Sequence, residues 1–409
     1  MENFSDIIVV GAGPSGSFCA LNIAKEGIKV TVFEEHNEIG TPCHCAGHLS
    51  IIGLKNLGLY PLPKGIVENT FHGAKIYSPR GSEFSVHFPS PITCTVDRAS
   101  FDKHISRLAE KAGARYFLGS RVNSLTFREN CIETSVSKIS GERFNFSGKI
   151  VVNAEGVNCR ILKQAGLNPP KNDFVYCVNA EIENVKNIEL DMVEVFLGND
   201  YAPGFYAWLI PKEEGKAKVG LGVKIGNPKN ALRKLMQKHP AASEKLKNAK
   251  ILREIFHSIP LSGPIKRAYC NRFLAVGDAA SQVKPTTGGG VILGLNCAKI
   301  AAEVAVEAVN LRNFSSKFLS KYQRRLMKLL GFDMKIMSTA RKMLNRISDE
   351  KLNDLIKTCR KFFDEEDFQD FCDIDFQGRM FVKALRKPKI AVAIAYFALL
   401  SLEAFKLID

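Results

Sequence analysis

The spacing of apolar residues changes several times along this chain, and each change predicts a different kind of element. Apolar runs at residues 7–10 and 28–33 enclose a stretch whose apolar positions recur with helical spacing as far as Lys25. Buried parallel strands have such continuous runs, whereas a helix packed on a sheet repeats every three to four residues. The first part of the chain is therefore predicted to fold as strand, helix and strand.

Apolar and polar residues mostly alternate in the middle of the chain. The alternating segments are residues 175–182, 192–196, 205–210 and 217–223. This pattern is typical of strands with one buried face, so it predicts a second, antiparallel sheet. A hairpin is predicted between residues 71 and 88, and from residue 314 onward the chain is predicted to be almost wholly helical.

A glycine pattern, Gly11-x-Gly13-x-x-Gly16, lies between the first predicted strand and the first predicted helix. Glycines at this spacing allow a tight turn, close approach of a pyrophosphate, and close packing of helix on strand. The phosphates would then lie at the positive N-terminal end of the helix. Glu34 follows the second strand, where its carboxylate could accept the hydroxyls of an adenosine ribose. Together these residues predict a dinucleotide site.

A second glycine-rich segment follows the strand predicted at residues 272–276. Gly277 and Asp278 end this strand, and a Pro/Thr/Gly loop leads through residues 288–290 into a long predicted helix. Asp278 could hold a sugar hydroxyl, and the bare backbone at residues 288–290 could lie against a flat ring. The helix N-terminus would then stabilise negative charge on that ring.

Composition and charge limit the class of protein. Of the 409 residues, 45% are hydrophobic and 24% charged, which is typical of a globular protein. The formal charge of +15 is compatible with nucleic acid, an anionic membrane or acidic ligands. The eleven cysteines form no paired CxxC sets and no secretory signal precedes the first strand, so we predict a cytoplasmic protein without a metal site.

No stretch reaches the length of a membrane span; the nearest is residues 390–402. A basic cluster precedes it, formed by Lys383, Arg386, Lys387 and Lys389. Peripheral contact with the inner face of the cell membrane would explain this pattern, and so would a buried helix with a solvated basic face. Nucleic-acid binding is not expected, because few aromatic residues lie among the basic residues at 321–342.

Several motifs together resemble the superfamily of FAD-dependent hydroxylases and reductases whose fold is similar to para-hydroxybenzoate hydroxylase. They are GAGPSG with Glu34, VDRASFD (96–102), NAEG (153–156) and GDAASQVKPTTGGG (277–290). Two further segments narrow the resemblance to geranylgeranyl reductases. Pro203-x-x-Tyr206-x-Trp208-x-Ile210-Pro211 resembles their PxxYxWxFP signature, and IGTPCHCAGHLS (39–50) resembles their loop IGxPxxCGEGxS, with Cys45 on the family cysteine.

The resemblance implies roles for individual residues. FAD would be held by Gly11, Gly13, Pro14, Ser15, Gly16, Glu34, Glu35, Cys45, Ala46, Arg98, Val122, Asp278, Gly288, Gly289, Gly290 and Val291. Phe205, Tyr206 and Trp208 would line an isoprenoid channel, with Phe196 as a further aromatic wall. The catalytic proton would come from Cys45, His48 or Tyr206, or from a water that they hold.

Some positions depart from the family pattern. Ala46 replaces the glycine after the family cysteine, and His48 stands near an acidic position. Glu155 and Cys159 replace the Asp and Ser of the family's ADGxxS motif. These departures bear on the substrate and the proton donor more than on the flavin.

The predicted fold class is α/β, with a Rossmann-like FAD-binding domain interleaved with an antiparallel-sheet substrate domain and a helical C-terminal region. The FAD-binding domain is predicted at residues 1–170, with β insertions of which about 60–95 belong to the substrate domain, and it resumes at 266–312. The substrate domain is predicted at 171–265 and the helical region at 313–409.

The function implied by the resemblance is reduction of C=C bonds in geranylgeranyl chains of archaeal-type ether lipid precursors, with hydride delivered from N5 of reduced flavin. Such a prenylated lipid is bound mainly through apolar area. The electron donor stays open between NAD(P)H and ferredoxin. Two alternatives are a flavin monooxygenase of a small aromatic substrate and a non-enzymatic flavoprotein that relays electrons at a membrane.

Overall fold

The structure is a computed structural model that describes residues 3–368 and 370–403. Its strands are β1 (Phe4–Val10), β2 (Val30–Phe33), β3 (His48–Ser50), β4 (Val67–Phe71), β5 (Gly73–Tyr77), β6 (Glu83–His87), β7 (Thr93–Val96), β8 (Arg115–Phe117), β9 (Ser120–Phe127), β10 (Ile132–Lys138), β11 (Arg143–Asn153), β12 (Phe174–Glu183), β13 (Met192–Phe196), β14 (Ala207–Glu213), β15 (Lys216–Val223), β16 (Lys250–Pro260), β17 (Tyr269–Cys270) and β18 (Phe273–Ala275). Its α-helices are α1 (Pro14–Lys25), α2 (Ile51–Asn56), α3 (Arg98–Lys111), α4 (Arg160–Gln164), α5 (Pro228–Lys238), α6 (Pro240–Leu246), α7 (Val291–Asn310), α8 (Ser316–Leu344), α9 (Asp349–Phe362), α10 (Gln377–Ala384) and α11 (Pro388–Glu403).

Contacts within the chain divide it into two units, each built from three separate segments. Unit 1 contains the chain up to Cys43, residues 98–173 and residues 260–334. Unit 2 contains residues 44–97, residues 174–259 and the chain from Lys335 onward. The division near residue 335 falls inside α8, whereas the sequence places the start of a helical region at 313. The domain boundaries derived from the sequence therefore stay predictions.

Unit 1 is built on a sheet in the order β17-β18-β11-β1-β2-β8, with the β9–β10 hairpin continuing from β11. β1 pairs in parallel with both β2 and β11, and β11 pairs in parallel with β18. The central strands contain continuous apolar runs at residues 7–10 and 150–152, because helices cover the sheet. α1 packs against both α3 and α7. This is the Rossmann-like arrangement that the opening pattern predicts.

Unit 2 contains a seven-stranded sheet in the order β16-β12-β15-β14-β13-β5-β6 and a small sheet in the order β3-β7-β4. Adjacent strands in the series β12, β15, β14 and β13 pair antiparallel, and β13 pairs in parallel with β5. The predicted hairpin at 71–88 is the β5–β6 pair. One face of the large sheet packs on α5 and α6, where its alternating apolar residues form a core with Leu232, Leu235 and Leu246. The α/β fold class with an added antiparallel sheet is confirmed.

The C-terminal part of unit 2 is helical, as the sequence predicts. Ser348 caps the N-terminus of α9 by accepting from the Lys351 amide. In the part of the chain that the structure describes, no helix combines the length and the apolar character needed to cross a bilayer.

Candidate functional site

The glycine loop of unit 1 is held by close backbone contacts that leave no space for side chains. Gly11 has a φ of +99°, and a Cβ at this position would lie 2.5 Å from the carbonyl oxygen of Ala154. A Cβ at Gly16 would overlap the carbonyl oxygen of Gly11. Gly13 is the N-cap of α1, and a Cβ there would meet nothing within 4 Å. The first and third glycines are therefore required by packing, while the second faces open space at the N-terminus of the helix.

Glu34 connects the end of β2 to this loop. Its Oε2 accepts from the amide of Ala12 at 2.8 Å, and its Oε1 accepts from the amide of His36 at 3.0 Å. The residue is only 9% exposed. The carboxylate therefore fixes the loop in addition to its predicted contact with the ribose. The cradle formed by Gly11, Gly16 and Glu34 fits the ADP half of FAD, because it presents the N-terminus of α1 to a pyrophosphate.

The second glycine-rich segment lies at the carboxyl end of β18. Asp278 is in a short 3-10 turn, Gly277–Ala280, and its Oδ1 would lie 3.2 Å from a Cβ at Gly290. Gly290 is the N-cap of α7, with Val291 as its first residue. A Cβ at Gly289 would lie 2.7 Å from the Lys284 side chain. The structure thus brings Asp278, the glycines and the start of a long helix together.

The other predicted cofactor residues of unit 1 occupy different environments. Arg98 forms a two-pronged ion pair with Asp102, at 3.1 and 3.0 Å. Glu35 lies 3.5 Å from Arg160, and Val122 is buried in β9. Pro14 is the first residue of α1.

Ser15 packs against the second glycine-rich segment and the first turn of α7, where its Oγ would lie 3.0 Å from a Cβ at Gly277 and 2.5 Å from one at Gly294.

Glu155 and Cys159, the two departures from the family motif, both make structural contacts. The Glu155 carboxylate accepts from the amides of Arg160, Ile161 and Leu162 at 2.9, 3.0 and 2.8 Å, so it caps α4. The Cys159 thiol donates to the Ala279 carbonyl oxygen at 3.8 Å. Burial raises the pKa of this thiol to about 11, which keeps it a neutral donor. Cys159 thus links the loop that follows β11 to the loop that follows β18, at the carboxyl ends of these strands.

In unit 2, the face of the large sheet opposite α5 and α6 carries most of the remaining predicted site residues. Successive side chains on a strand point to opposite faces. On β14, Ala207 and Leu209 belong to the core, so Trp208 lies on the other face. On β15, Val219 and Leu221 belong to the core, so the glycines at 220 and 222 lie beside Trp208.

The aromatic side chains lie across these two glycines. A Cβ at Gly220 would lie 2.5 Å from Trp208 Cζ2, and one at Gly222 would lie 2.6 Å from Phe205 Cδ1. Trp208 extends across β15, where its Nε1 donates to Asn179 Oδ1 at 3.3 Å. The ring of Tyr206 lies 4.6 Å from that of Phe205 and 5.7 Å from that of Trp208. The three predicted channel residues therefore form one aromatic cluster that packs on the backbone of Gly220 and Gly222.

Phe196 does not belong to this cluster. It is 1% exposed and lies in the core on the opposite face, where its ring is stacked on Tyr77 and meets His239 edge-on. Its position in β13 places it on the core face because the side-chain alternation leaves no other choice.

The loop of Cys45 is held by a buried lysine of the same unit. Ala46 packs with Phe71 and Trp208, and its carbonyl oxygen accepts from Lys218 Nζ at 3.1 Å. Lys218 also lies 2.5 Å from Glu68, and its side chain is 5% exposed. The amide of Gly47 donates to Cys45 Sγ at 3.4 Å. This places Cys45 on a loop whose backbone is fixed to the sheet.

His48 begins β3. Its Nε2 lies 2.8 Å from Thr93 Oγ1, and its ring meets Phe71 edge-on at 5.6 Å.

Electrostatic interactions connect the aromatic cluster to α8. The guanidinium of Arg341 lies 4.6 Å from the Phe205 ring centre and 5.9 Å from that of Tyr206. Burial lowers the pKa of Arg341 to about 10, so it stays cationic at neutral pH. Desolvation by the surrounding protein raises the pKa of Tyr206, and the charge of Arg341 opposes that rise. Burial, with a smaller contribution from nearby Cys45, raises the pKa of Cys177 to about 12.

Sequence reasoning missed several of these residues. Three of them lie inside the predicted strand at 217–223, away from any turn that would mark them as special: Lys218, Gly220 and Gly222. The spacing Gly-x-Gly within an apolar strand was an available signal, because glycine weakens a strand unless another group lies close to it. Lys284 and Arg341 gave no signal in the sequence, since a lysine in a loop and an arginine in a basic helix are ordinarily solvated.

The fold and the dinucleotide cradle define the class of protein, an FAD-dependent oxidoreductase. Residues 6–174 match the family model for FAD dependent oxidoreductase, and residues 173–257 match that for the geranylgeranyl reductase catalytic domain. The digeranylgeranylglycerophospholipid reductase of Methanocaldococcus jannaschii is 35% identical over 91% of this chain and 94% of its own length. The enzyme of that name from Methanococcus vannielii is 32% identical over 95% and 96%.

Solved structures agree with these matches. A geranylgeranyl bacteriochlorophyll reductase-like protein from Thermoplasma acidophilum has a TM-score of 0.85 and 25% identity, covering 96% of this chain and 99% of that protein. A flavin-dependent brominase, at 17% identity and a TM-score of 0.70, shares the fold alone. The chain belongs to the geranylgeranyl reductase family. The predictions of the family, of FAD as cofactor and of an oxidoreductase are confirmed.

Proposed function

We propose that this enzyme saturates C=C bonds of geranylgeranyl chains carried by isoprenoid ether lipid precursors. The single observation that carries the proposal is the aromatic cluster of Phe205, Tyr206 and Trp208 lying on the bare backbone of Gly220 and Gly222. Such a surface binds a long apolar chain through area and offers few polar partners. The names of the curated relatives support the same substrate class.

We assign the FAD-binding role to the unit 1 residues described above. The glycine loop and Glu34 would hold the ADP half, and Asp278 with residues 288–290 would lie at the flavin half. Reduced FAD, when bound, supplies a hydride from its N5 atom. The N-terminus of α7 and the buried Lys284, which is 7% exposed, would stabilise negative charge on the ring.

The chain's own residues must also supply a proton, because an isolated alkene has no carbonyl to polarise it. We assign this role to Tyr206 or Cys45, and a positioning role to His48. Desolvation keeps the phenol of Tyr206 protonated, and Arg341 would stabilise the phenolate that remains after proton transfer. His48 is engaged with Thr93 on the small sheet, which suits a residue that orders the loop.

Peripheral membrane contact is a further part of the proposal. Val392 is 70% exposed on α11, beside the basic cluster. Two of the four cluster residues are partly neutralised, because Lys387 lies 3.1 Å from Asp370 and Lys389 lies 3.5 Å from Asp367. Contact would therefore rest on apolar side chains together with Lys383 and Arg386. Flotation with anionic vesicles, compared at low and high salt, tests this contact.

The deciding experiment uses the purified holoenzyme without oxygen. The flavin is reduced chemically, a geranylgeranyl glycerophospholipid is added, and the product mass is measured. Each saturated bond adds two hydrogens, so the expected products are heavier by multiples of that mass. Product formation only in a parallel reaction with oxygen would favour the monooxygenase, and rapid reduction of an added quinone with unchanged lipid would favour the electron carrier. Replacing the chemical reductant with NAD(P)H or with reduced ferredoxin then identifies the donor.

A further inference from the structure

Unit 1 contains an open pocket of about 820 Å³ that is separate from the proposed cofactor residues. Four chain segments form it: the end of β9 with the following turn, the end of α4, the β17–β18 turn, and the connection between α7 and α8. The side chains that matter for its chemistry are Arg128, Glu129, Arg267, Arg272, Arg312 and Ser316.

The pocket and the proposed cofactor residues lie at opposite ends of the strands of the unit 1 sheet. Arg272 immediately precedes β18, which is parallel to β11 and β1. The pocket is therefore at the amino ends of these strands. Gly11 and Asp278 follow the carboxyl ends of β1 and β18, where nucleotides bind in sheets of this kind.

The charge of the pocket is strongly positive, since four arginines face one carboxylate. Arg272 donates to the carbonyl oxygens of Lys149 and Glu129 at 3.2 and 2.7 Å, and it stacks on Phe314 at 4.7 Å. Arg267 donates to the Tyr269 carbonyl oxygen and to Ser316 Oγ. Neutral groups thus fix the direction of both guanidinium groups and leave their charge in place.

Ion pairs do not compensate this charge. Among residues 3–368 and 370–403, no carboxylate lies within ion-pair distance of Arg267, Arg272 or Arg312. The remaining arginine, Arg128, lies 3.7 Å from Glu133. Fixed guanidinium groups with unused N–H donors match the oxygens of a phosphate.

The backbone at two of the arginines gives an independent indication. Arg272 has a φ of +60° and Arg312 a φ of +50°. Glycine or asparagine adopts this left-handed region at lower cost than arginine does. An arginine kept in such a conformation in a turn is expected to have a role that depends on its side chain.

We propose that this pocket binds a phosphate group, presented either by a soluble phosphate ester or by a lipid head group. The volume admits a ligand of nucleotide size, and the arginine side chains supply the charge and the paired donors. The N-terminus of α8 at Ser316 adds a further favourable dipole. The proposal does not depend on the reaction assigned above.

The test compares two doubly substituted holoenzymes, so that bound FAD already fills the cofactor site. The pocket variant is R267Q/R312N, in which asparagine suits the left-handed backbone at residue 312. The control variant is R233Q/R253Q, which removes the same charge from exposed positions of unit 2. Binding of inorganic pyrophosphate is measured by calorimetry, and binding of phosphatidylglycerol vesicles by sedimentation.

We expect the pocket variant to bind its ligand at least about tenfold more weakly than the control does, because each guanidinium removed takes away a charge-assisted hydrogen bond. A selective loss of pyrophosphate binding identifies a soluble phosphate, and a selective loss of vesicle binding identifies a head group. Equal affinities in the wild type and the pocket variant for both probes overturn the proposal, as does equal weakening in both variants. The R312N substitution alone should leave the thermal midpoint unchanged or higher, which separates lost binding from lost folding.

Discussion

Replacing Gly220 with alanine tests whether the aromatic cluster requires a residue without a side chain at this position of β15. The new Cβ would lie 2.5 Å from Trp208 Cζ2 and 2.5 Å from the Val178 carbonyl oxygen. Val178 is in β12, which is paired with β15 along its length, so the carbonyl cannot move without disrupting the sheet. Overpacking of this kind costs about 1–3 kcal/mol, and loss of the Trp208–Asn179 hydrogen bond adds roughly 1 kcal/mol. We therefore expect the free energy of unfolding to fall by about 2–4 kcal/mol.

The assay can observe this site directly, because Trp208 is the only tryptophan in the chain. Urea unfolding of the variant gives the change in stability, and tryptophan emission reports the position of the ring. Displacement from the sheet should expose the indole and shift its emission to longer wavelength. The rate of lipid reduction should fall as well, since the ring would no longer pack on the backbone of Gly220.

The matched control is the same substitution at Gly331, in the interior of α8. A Cβ there would lie 3.1 Å from the end of the flexible Met327 side chain, which can move aside. Alanine also favours a helix by about 1 kcal/mol relative to glycine. G331A should therefore be at least as stable as the wild type, with unchanged emission. If G220A shared that outcome, the sheet would have room for a side chain and the reasoning would be wrong.

Three further substitutions address the other proposed roles. E34Q, which removes one acceptor from the glycine loop, should weaken FAD binding by roughly tenfold in a fluorescence titration of apoprotein, while E38Q at an exposed position should not. K218M removes the buried cation that holds the cysteine loop and should lower stability by about 2 kcal/mol together with kcat, whereas K216M on the same strand should change neither; equal effects of the two would contradict a positioning role for Lys218. Burial lowers the pKa of His239 from 6.5 to about 4, so the unfolded chain binds a proton that the folded chain does not. The free energy of unfolding should then fall by about 3 kcal/mol between pH 6.5 and 4, and H239N, which retains an acceptor for the helix cap, should lose that part of the pH dependence.

The nucleotide-binding unit could be predicted closely because its physical requirements are local. The tight turn at Gly11, the packing contact at Gly16 and the acid at Glu34 all lie within one strand–helix–strand segment. Each needs a particular residue type at a particular spacing. The sheet of this unit needs continuous apolar strands because helices cover it, and that pattern is also visible in the sequence.

The residues that could not be predicted are those whose partners lie far away in the chain. Lys218 contacts Ala46, and Arg341 lies over Phe205, although each pair is separated by more than a hundred positions. A buried lysine and an exposed one look the same in a sequence. The arginine pocket could not be predicted for the same reason, because four segments that are distant in the chain contribute to it.

The residues on the two faces of β15 explain why we regard the aromatic cluster as a ligand-binding surface and not as a surface that contacts only water. Val219 and Leu221 point into the core, whereas Gly220 and Gly222 point away from it. A face that only meets water would gain stability from polar or β-branched residues, since glycine inside a strand costs roughly 0.5–1 kcal/mol relative to alanine. Here Trp208 and Phe205 lie on the bare backbone, in space that any side chain at 220 or 222 would occupy. The glycines are therefore explained by the position of the rings, and the rings in turn form an apolar aromatic cluster suited to a long prenyl chain.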